Sequence, residues 1–334
     1  MVMSKYLEDF KLIIRQCDYS NTYKMAWAKA IVELSGLYND DNAEEVNINL
    51  CDIAEKMFKY YWDQTIYFNL FQSAPNQPPV ILQHVKKLIG LYQDYKKDYK
   101  PVVYNKVDGE LKSKFKNDFD KAIKESVRNI KDNVGPFFLN YQREKYPFYI
   151  FDKKLDYIKF KTSDLHILYS NQQDLFDLIN YRWSLMLEDY NSSPRIGKKV
   201  RIMDEQKIRR PKALTFFDKF LDFENENHIC FICGERISDD KLSRDHVIPW
   251  SYMYSDDLWN LVYVHKECNS SKSNITPTID EINKLKERNL KLQAELHDVW
   301  NDVFGSKNAK ILQEFDYAIE HDYVDKFYLG CRGC

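Results

Sequence analysis

The sequence predicts a mainly α fold that includes one small α+β segment in its C-terminal third. Apolar residues recur at helical spacing along most of the chain, and only short runs rich in aromatic and β-branched residues interrupt that pattern. Glycine is scarce, with 9 in 334 residues against a usual share of about 7%, which disfavours sheet-rich folds with many tight turns. The chain is 44% hydrophobic, enough to bury a large core, and its length suggests more than one domain.

Residues 1–135 are predicted to form a helical domain that recognises a ligand or docks a partner. The segments KYLEDFKLIIRQ and MAWAKAIVELSGLY show helical spacing, and SNTYK is typical of a helix start in which Ser20 or Asn21 is the cap. The proline-rich SAPNQPPV at 73–80 is expected to separate two helices, and 108–133 forms another long amphipathic pattern.

Residues 136–228 are predicted to be a connecting region that mixes a hairpin with helices. Aromatic and β-branched residues cluster in short runs over 148–160, which indicates a β-hairpin. Helical spacing returns from about Ser163 to Tyr190 and again from about Glu205 to Phe223.

The loop predicted between these two helices, with its flank, is the most basic stretch of the chain. The overall charge is nearly balanced, with 49 Lys and Arg against 51 Asp and Glu, so any surface for a polyanion must be local. The stretch 194–212 is either a solvated connection or a surface that contacts phosphate. It contains Arg195, Lys198, Lys199, Arg201, Lys207, Arg209, Arg210 and Lys212 against Asp204 and Glu205.

Residues 229–275 carry two pairs of side chains with metal-ligand spacing. Cys230 and Cys233 are separated by two residues, and so are His265 and Cys268 further along. Two such pairs supply the four ligands of a closed tetrahedral Zn²⁺ site, in which the protein fills every coordination position. The pairs therefore predict a structural zinc ion that holds together the ends of a small motif.

The order of residue types in this segment resembles the HNH endonuclease family. The segment reads CxxC…DHVIPWS…WNLV…HxxCNxxK. In that family a base His is followed by a middle Asn and then by a metal-binding helix residue, at the gaps that His246, Asn260 and Asn269 show. The resemblance implies a fold class that is mainly α with a small α+β ββα-metal (HNH) zinc-containing nuclease domain at 229–275.

The resemblance also implies a role for five residues. His246 is expected to be the general base that takes a proton from the attacking water at neutral pH. Asp245 and Asn269 are expected to bind one catalytic Mg²⁺, or Mn²⁺, through oxygen. Asn260 is expected to support the hairpin loop and the orientation of His246, and Lys272 is expected to meet a phosphate oxygen.

Two alternatives remain open for this site, because the last residue of the motif is Asn rather than His. If His265 bound the catalytic ion, the zinc site would be incomplete. In the second alternative, the segment is an inactive HNH fold that serves as a zinc-stabilised DNA-binding subunit, and His246 has no catalytic importance.

The resemblance implies a metal-dependent endonuclease that hydrolyses phosphodiester bonds in double-stranded DNA. Together with a helical N-terminal region, the layout resembles stand-alone bacterial HNH proteins of restriction or antiphage defence. Such a protein would act as a homodimer or with a defence-complex partner, and the helices predicted over 276–334 could supply the interface. Alternatives are a homing or mobile-element endonuclease and a nuclease that acts on RNA.

Next to a nuclease motif, the basic stretch is better interpreted as a DNA contact than as a solvated loop. The residues predicted to bind DNA there are Lys198, Lys199, Arg201, Arg209 and Arg210.

The sequence predicts a cytoplasmic protein without a membrane partner. No apolar run approaches the roughly 20 residues of a transmembrane helix, and the first residues lack the apolar stretch of a signal peptide. The clustered cysteines then indicate metal binding rather than disulfides.

Overall fold

The structure, a computed structural model, describes most of the chain as two compact units. One unit consists of Met1–Asn191 and Ile196–Lys207, and the other of Ser192–Arg195 and Ile208–Cys334. The described part is mainly helical with small sheets, which confirms the predicted mainly α class with a small α+β part. No helix among the described residues is long and apolar enough to cross a membrane. The described residues are 4–17, 20–38, 43–74, 78–191, 193–205, 214–305 and 308–332, with the backbone alone at 202–205, 301–302 and 332.

The first unit is built from helices. They are α1 (Lys5–Gln16), α2 (Tyr23–Ser35), α3 (Leu50–Phe68), α4 (Val80–Lys96), α5 (Asp108–Lys114), α6 (Lys116–Asn133), α7 (Thr162–Ser170), α8 (Gln172–Tyr190) and α9 (Ile196–Glu205). Helix α2 packs against α3, α7 and α8, and α3 packs against α4 and α6. Met25, Trp27 and Ile31 of α2 are all fully buried, as expected for a helix that is apolar on every face.

Short strands flank these helices. They are β1 (Glu45–Asn49), β2 (Asn140–Tyr141), β3 (Glu144–Lys145), β4 (Ile150–Phe151) and β5 (Tyr157–Lys161). The hairpin predicted over 148–160 is confirmed, because β4 and β5 pair antiparallel with Phe151 opposite Ile158. Strand β1 pairs with the other edge of β5 and was not predicted, since only Ile48 in this polar segment is buried.

The helix start predicted at SNTYK is confirmed, since α2 begins at Tyr23, but the cap residue is Thr22 rather than Ser20 or Asn21. The Asn21 side-chain oxygen accepts a hydrogen bond from the Tyr23 amide at 2.9 Å. The Thr22 hydroxyl lies 2.7 Å from Gln72 Oε1 and 3.1 Å from the Tyr61 hydroxyl. These contacts fix the start of α2 to α3 and to the segment that follows α3.

Other helix boundaries differ from the sequence prediction at several points. The pattern at 163–190 forms two helices, α7 and α8, that break at Asn171. In the described part of the segment predicted as a helix from about Glu205 to Phe223, an α-helix begins only at Asp218.

The proline-rich segment at 73–80 does separate α3 from α4. The pattern at 108–133 forms two helices, α5 and α6, that break at Phe115. Helix α9 occupies part of the stretch predicted as a loop, because Ile196 and Val200, one turn apart, are both buried.

The second unit contains a two-stranded antiparallel sheet followed by a short helix. Its elements are α10 (Asp218–Glu224), β6 (Leu242–His246), α11 (Trp250–Met253), β7 (Leu261–His265), α12 (Lys266–Lys272), α13 (Ile279–Val303), α14 (Ala309–Glu320) and α15 (Tyr323–Arg332). Strands β6 and β7 pair over their full length, from Leu242 opposite His265 to His246 opposite Leu261. Helix α12 follows β7 directly and packs on both strands, which gives a ββα arrangement.

The long helix α13 completes the core of the second unit. Thr278 and Glu281 form a capping box at its start. Its apolar stripe is buried in the unit's own core and consists of Ile282, Leu285, Leu292, Leu296 and Trp300. The helix therefore uses its apolar face to stabilise the ββα arrangement.

Candidate active site

Four predicted zinc ligands meet at the end of the sheet where Leu242 lies opposite His265. Cys233 Sγ and Cys268 Sγ lie 3.4 and 4.0 Å from His265 Nδ1. A tetrahedral Zn²⁺ bound by sulfur at about 2.3 Å needs ligand atoms roughly 3.8 Å apart, so this spacing fits the ion. The ligand atoms of Cys230, Cys233, His265 and Cys268 all lie within 4.8 Å of one another.

A tight turn directs the first two thiols toward the same point. The Gly234 amide donates to the Cys230 carbonyl at 2.9 Å, and the Cys230 amide donates to the Glu235 carbonyl at 2.8 Å. Gly234 has a φ of +76°, in the left-handed region that glycine occupies readily. The turn therefore depends on glycine directly after Cys233.

The polypeptide backbone favours a thiolate at one end of this cluster. Burial acts to raise the pKa of Cys230, but backbone amides of Cys233, His265 and Ile232 donate hydrogen bonds that lower the pKa to about 6. Burial and the neighbouring Cys230 and Cys233 sulfurs raise the pKa of Cys268 to about 11. Three thiolates can thus share this space only with a cation to balance their charge.

The position of His265 contradicts the alternative in which it binds the catalytic ion. Its Nδ1 faces the thiols, while its Nε2 lies 3.3 Å from the Arg236 carbonyl. A carbonyl that accepts from the second ring nitrogen commonly fixes the tautomer of a metal-binding histidine.

Asp245 and His246 close β6 at the opposite end of the sheet. His246 pairs with Leu261 and Asp245 pairs with Val262. The two side chains contact different neighbours, as the alternation of a strand requires. Asp245 contacts α12, and His246 contacts the loop that precedes β7.

Lys272 neutralises the carboxylate of Asp245. Its Nζ lies 2.7 Å from Asp245 Oδ2 and 2.5 Å from the His246 carbonyl oxygen. The Lys272 and Asp245 side chains are only 10% and 12% exposed. In this structure the Lys272 ammonium therefore faces Asp245, the predicted metal ligand, whereas the sequence analysis predicts a contact with a phosphate oxygen.

Asn260 ties the residues after His246 to the start of β7. Its side-chain oxygen accepts from the Ile248 amide and its side-chain nitrogen donates to the Ile248 carbonyl, both at 2.8 Å. Its own carbonyl accepts from the Val247 amide at 2.9 Å. The Asn260 side chain is fully buried, so these bonds are protected from water.

Asn269 holds α12 against β6 beside Asp245. Its side-chain nitrogen lies 2.9 Å from the Ser243 hydroxyl and 3.4 Å from the Arg244 carbonyl. Its side-chain oxygen accepts no hydrogen bond from the described residues, which leaves this oxygen available to a cation.

Sequence reasoning missed Asp256, which contacts His246. His246 Nε2 lies 3.0 Å from Asp256 Oδ1, and the two side chains are 7% and 22% exposed. The available signal was an SDD sequence ten residues after His246, but spacing does not separate Asp256 from Asp257. The Asp257 carboxylate instead accepts from the Ser255 hydroxyl at 2.5 Å.

Helix α13 supports the backbone around this site, a second feature absent from the sequence prediction. Arg288 donates to the carbonyls of Leu258 and Leu261 at 3.1 and 2.9 Å. The Asn289 side chain donates to the Trp259 carbonyl at 2.9 Å. The segment that carries Asn260 is therefore held from both sides.

The predicted DNA-binding residues occupy different environments. Lys198 and Arg201 are exposed on α9 in the first unit, one turn apart. Arg209 and Arg210 lie outside the described residues.

The prediction for Lys199 is wrong, because its side chain is fully buried. It precedes Val200 on the face of α9 that packs inward, and its Nζ lies 5.5 Å from the centre of the Phe68 ring. A lysine on that face cannot reach a DNA backbone.

Comparison with known families agrees with this arrangement. A family described as HNH endonuclease matches residues 230–278, and residues 230–278 therefore form an HNH endonuclease domain with a site suited to zinc. A family described as a domain of unknown function, DUF8808, matches residues 4–191. No curated protein and no solved structure matches the chain.

Proposed function

The chain belongs to the family of the domain of unknown function DUF8808 and carries an HNH endonuclease domain, and on this premise we propose that it hydrolyses phosphodiester bonds in double-stranded DNA. One observation carries this proposal. Helix α12 is bonded to β6 through Asn269 and Lys272, so a helix amide and a carboxylate meet at the end of the strand that carries His246.

In this proposal, His246 takes the proton from the attacking water. A neutral imidazole at pH 7 has a ring nitrogen that can accept this proton. Asn260 fixes the backbone that follows His246, and thereby the position of the imidazole. When Asp245 holds a metal ion, the Lys272 ammonium can supply a positive charge beside the reacting phosphate.

The donor set fits a hard divalent cation held by Asp245 and Asn269. Both offer oxygen, the ligand atom that Mg²⁺ and Mn²⁺ prefer. Asp245 already balances a positive charge, that of Lys272. When bound, such a cation neutralises charge that develops on the phosphate and the leaving oxygen.

Phosphate contacts outside the HNH domain are proposed for Lys198 and Arg201, and for Arg209 and Arg210 beyond the described residues. Basic side chains of this kind hold a duplex in register without reading its sequence. A charge-neutralising pair, Lys198→Gln with Arg201→Gln, is expected to weaken DNA binding and to reduce the slope of log K against log salt by roughly 2. The exposed pair Lys114→Gln with Lys116→Gln is the matched control, and an equal slope in both variants would exclude this contact.

The biological role proposed is bacterial restriction or antiphage defence in the cytoplasm. A layout that joins a helical domain to an HNH domain supports this role. Because each chain has one HNH site, cutting both strands calls for a homodimer or a defence-complex partner.

The decisive experiment is cleavage of unmodified plasmid and modified phage DNA in Mg²⁺ or Mn²⁺. The His246→Ala variant is expected to cut about 10²- to 10⁴-fold more slowly, since it lacks the proton acceptor. Sequencing of the ends then gives the cleavage site. Cleavage of one long site would indicate a mobile-element enzyme, whereas many sites or dependence on base modification would indicate defence.

His297→Ala is the matched control for this variant. His297 also contacts a carboxylate, that of Asp316 at 3.1 Å, but it lies on α13 outside the HNH domain at 230–278. A wild-type protein that binds DNA but cuts none, with zinc at one per chain, would overturn the nuclease proposal in favour of a DNA-binding subunit.

A further inference from the structure

The loop between α11 and β7 holds a carboxylate against the histidine of the HNH motif. Asp256 Oδ1 lies 3.0 Å from His246 Nε2, and His246 is only 7% exposed. A contact of this length is a hydrogen bond in which the ring nitrogen carries the proton and the carboxylate accepts it. Because a neutral imidazole carries one proton, the other nitrogen, Nδ1, is then an acceptor.

We propose that Asp256 is a positioning residue that fixes His246 in its Nε2–H tautomer and so assigns proton abstraction to Nδ1. This inference rests on the proposed nuclease function. No described residue forms a hydrogen bond with Nδ1, so that nitrogen is left for water. Asp256 itself touches neither water nor phosphate in the reaction; it acts through the imidazole.

The surroundings of Asp256 keep it in this role. The ammonium group of Lys272, which lies near the motif, contacts Asp245 and the His246 carbonyl. The adjacent carboxylate, Asp257, accepts from Ser255 and lies 3.9 Å from Arg195. Asp245, Asp256 and Asp257 thus each have their own partner, and among the described residues Asp256 is the carboxylate that contacts the imidazole.

The loop that carries Asp256 is short and is held at both ends. Asn260 fixes the Ile248 backbone on one side of the loop, and Arg288 holds the Leu258 carbonyl on the other. Asp256 lies between these two fixed points. The loop is therefore anchored at both ends around the residue that orients His246.

The first measurement is the tautomer of His246 in the full-length, zinc-loaded protein. Histidine labelled with ¹⁵N gives long-range ¹H–¹⁵N correlations that distinguish Nε2–H from Nδ1–H, and the His246 signal is the one lost in His246→Ala. The neutral imidazole of the wild type is expected to show Nε2–H. Asp256→Ala is expected to show a mixture, and Nδ1–H in the wild type would overturn the proposal.

The second measurement is the cleavage rate of Asp256→Ala and Asp256→Asn. Their kcat is expected to fall about 10- to 100-fold, the size of effect seen when an outer hydrogen-bond partner at a metal site is removed, while KM and zinc content stay at the wild-type values. Asp257→Asn, which removes the same charge one residue away, is expected to cut at the wild-type rate. Wild-type rates in both Asp256 variants would overturn the proposal.

The two measurements separate this inference from the proposed function. If the wild type cuts no DNA, the nuclease proposal fails, and the tautomer still decides the orienting contact. If the wild type cuts and Asp256→Asn and Asp257→Asn lose activity equally, the loop carboxylates act together on folding and the specific role of Asp256 is wrong.

Discussion

The two ends of the β6–β7 pair are held by different kinds of interaction. At one end, four side chains converge on a point suited to Zn²⁺, and all four belong to two short sequence pairs. At the other end, His246, Asp245 and Asn260 depend on hydrogen bonds from a loop and from two helices. The four protein ligands of a closed metal site fix its geometry. In an open site, which must admit substrate, neighbouring residues hold the functional side chains in place.

In the proposed nuclease, the zinc end therefore serves folding and the opposite end serves the chemistry. The sheet between them is only two strands of five residues each. A pair of strands this small is marginally stable by itself, so it needs the metal at one end and α13 at the other. Variants at the two ends should therefore separate stability from activity.

The largest effect is expected at the zinc end. Cys268→Ser should lose zinc and the cooperative unfolding of the second unit, because binding energy of about 10–16 kcal/mol in small zinc modules is folding energy. Zinc content by elemental analysis and thermal unfolding by calorimetry report both losses. Cys51→Ser, an exposed cysteine of the first unit, is the control, and retained zinc in Cys268→Ser would place the ion elsewhere.

The next effect is expected where α13 supports the open end. Arg288 is only 8% exposed, lies 2.5 Å from Glu224, and donates to the carbonyls of Leu258 and Leu261. Arg288→Ala leaves the half-buried Glu224 without its partner and should lower the free energy of unfolding by about 3 kcal/mol. Urea unfolding measures this change, and zinc content should stay unchanged. A loss of zinc in this variant would break the separation of the two ends.

The motif residues themselves were predictable, and their supports were not. The ligands of the zinc site follow from residue type and spacing, whereas the roles predicted for His246, Asn260 and Asn269 follow from the resemblance to the HNH motif. Asp256 lies in a loop, and Arg288 lies on α13, 28 residues after Asn260. No sequence pattern around either residue indicates that it belongs to the site. The same limit applies to Lys199, since the inward face of α9 is set by packing against α3 and α8.

The fold shows a similar division. Helices such as α1 and α13 follow from apolar spacing, and the β4–β5 hairpin follows from clustered aromatic residues. Strand β1 could not be predicted, because EVNIN contains too few apolar residues to show alternation and is a strand only by pairing with β5. The break between α5 and α6 at Phe115 also lacks a proline or glycine to announce it.

A smaller effect is expected from the amide at the start of β7. Asn260→Ala removes two buried hydrogen bonds to Ile248 and should lower the free energy of unfolding by about 2 kcal/mol, with a loss of cleavage as His246 is released. Asn283→Ala, an exposed amide on α13, should change neither. Cleavage at the wild-type rate despite the loss of stability would show that Asn260 serves folding alone.

The smallest effect is expected at the end of β6, where Lys272 contacts Asp245. A cation that binds Asp245 meets the positive charge of Lys272, and unit charges a few ångströms apart near a protein surface repel by a few kcal/mol at most. Lys272→Met should therefore bind Mn²⁺ about tenfold more tightly, a change of ~1.4 kcal/mol, as measured by electron paramagnetic resonance with zinc retained. Lys266→Met, on the same helix but bonded to the Asp240 carbonyl, should leave the affinity unchanged. If Lys272→Met binds Mn²⁺ more weakly, the lysine assists the cation instead of competing with it, and the open end is organised before metal arrives.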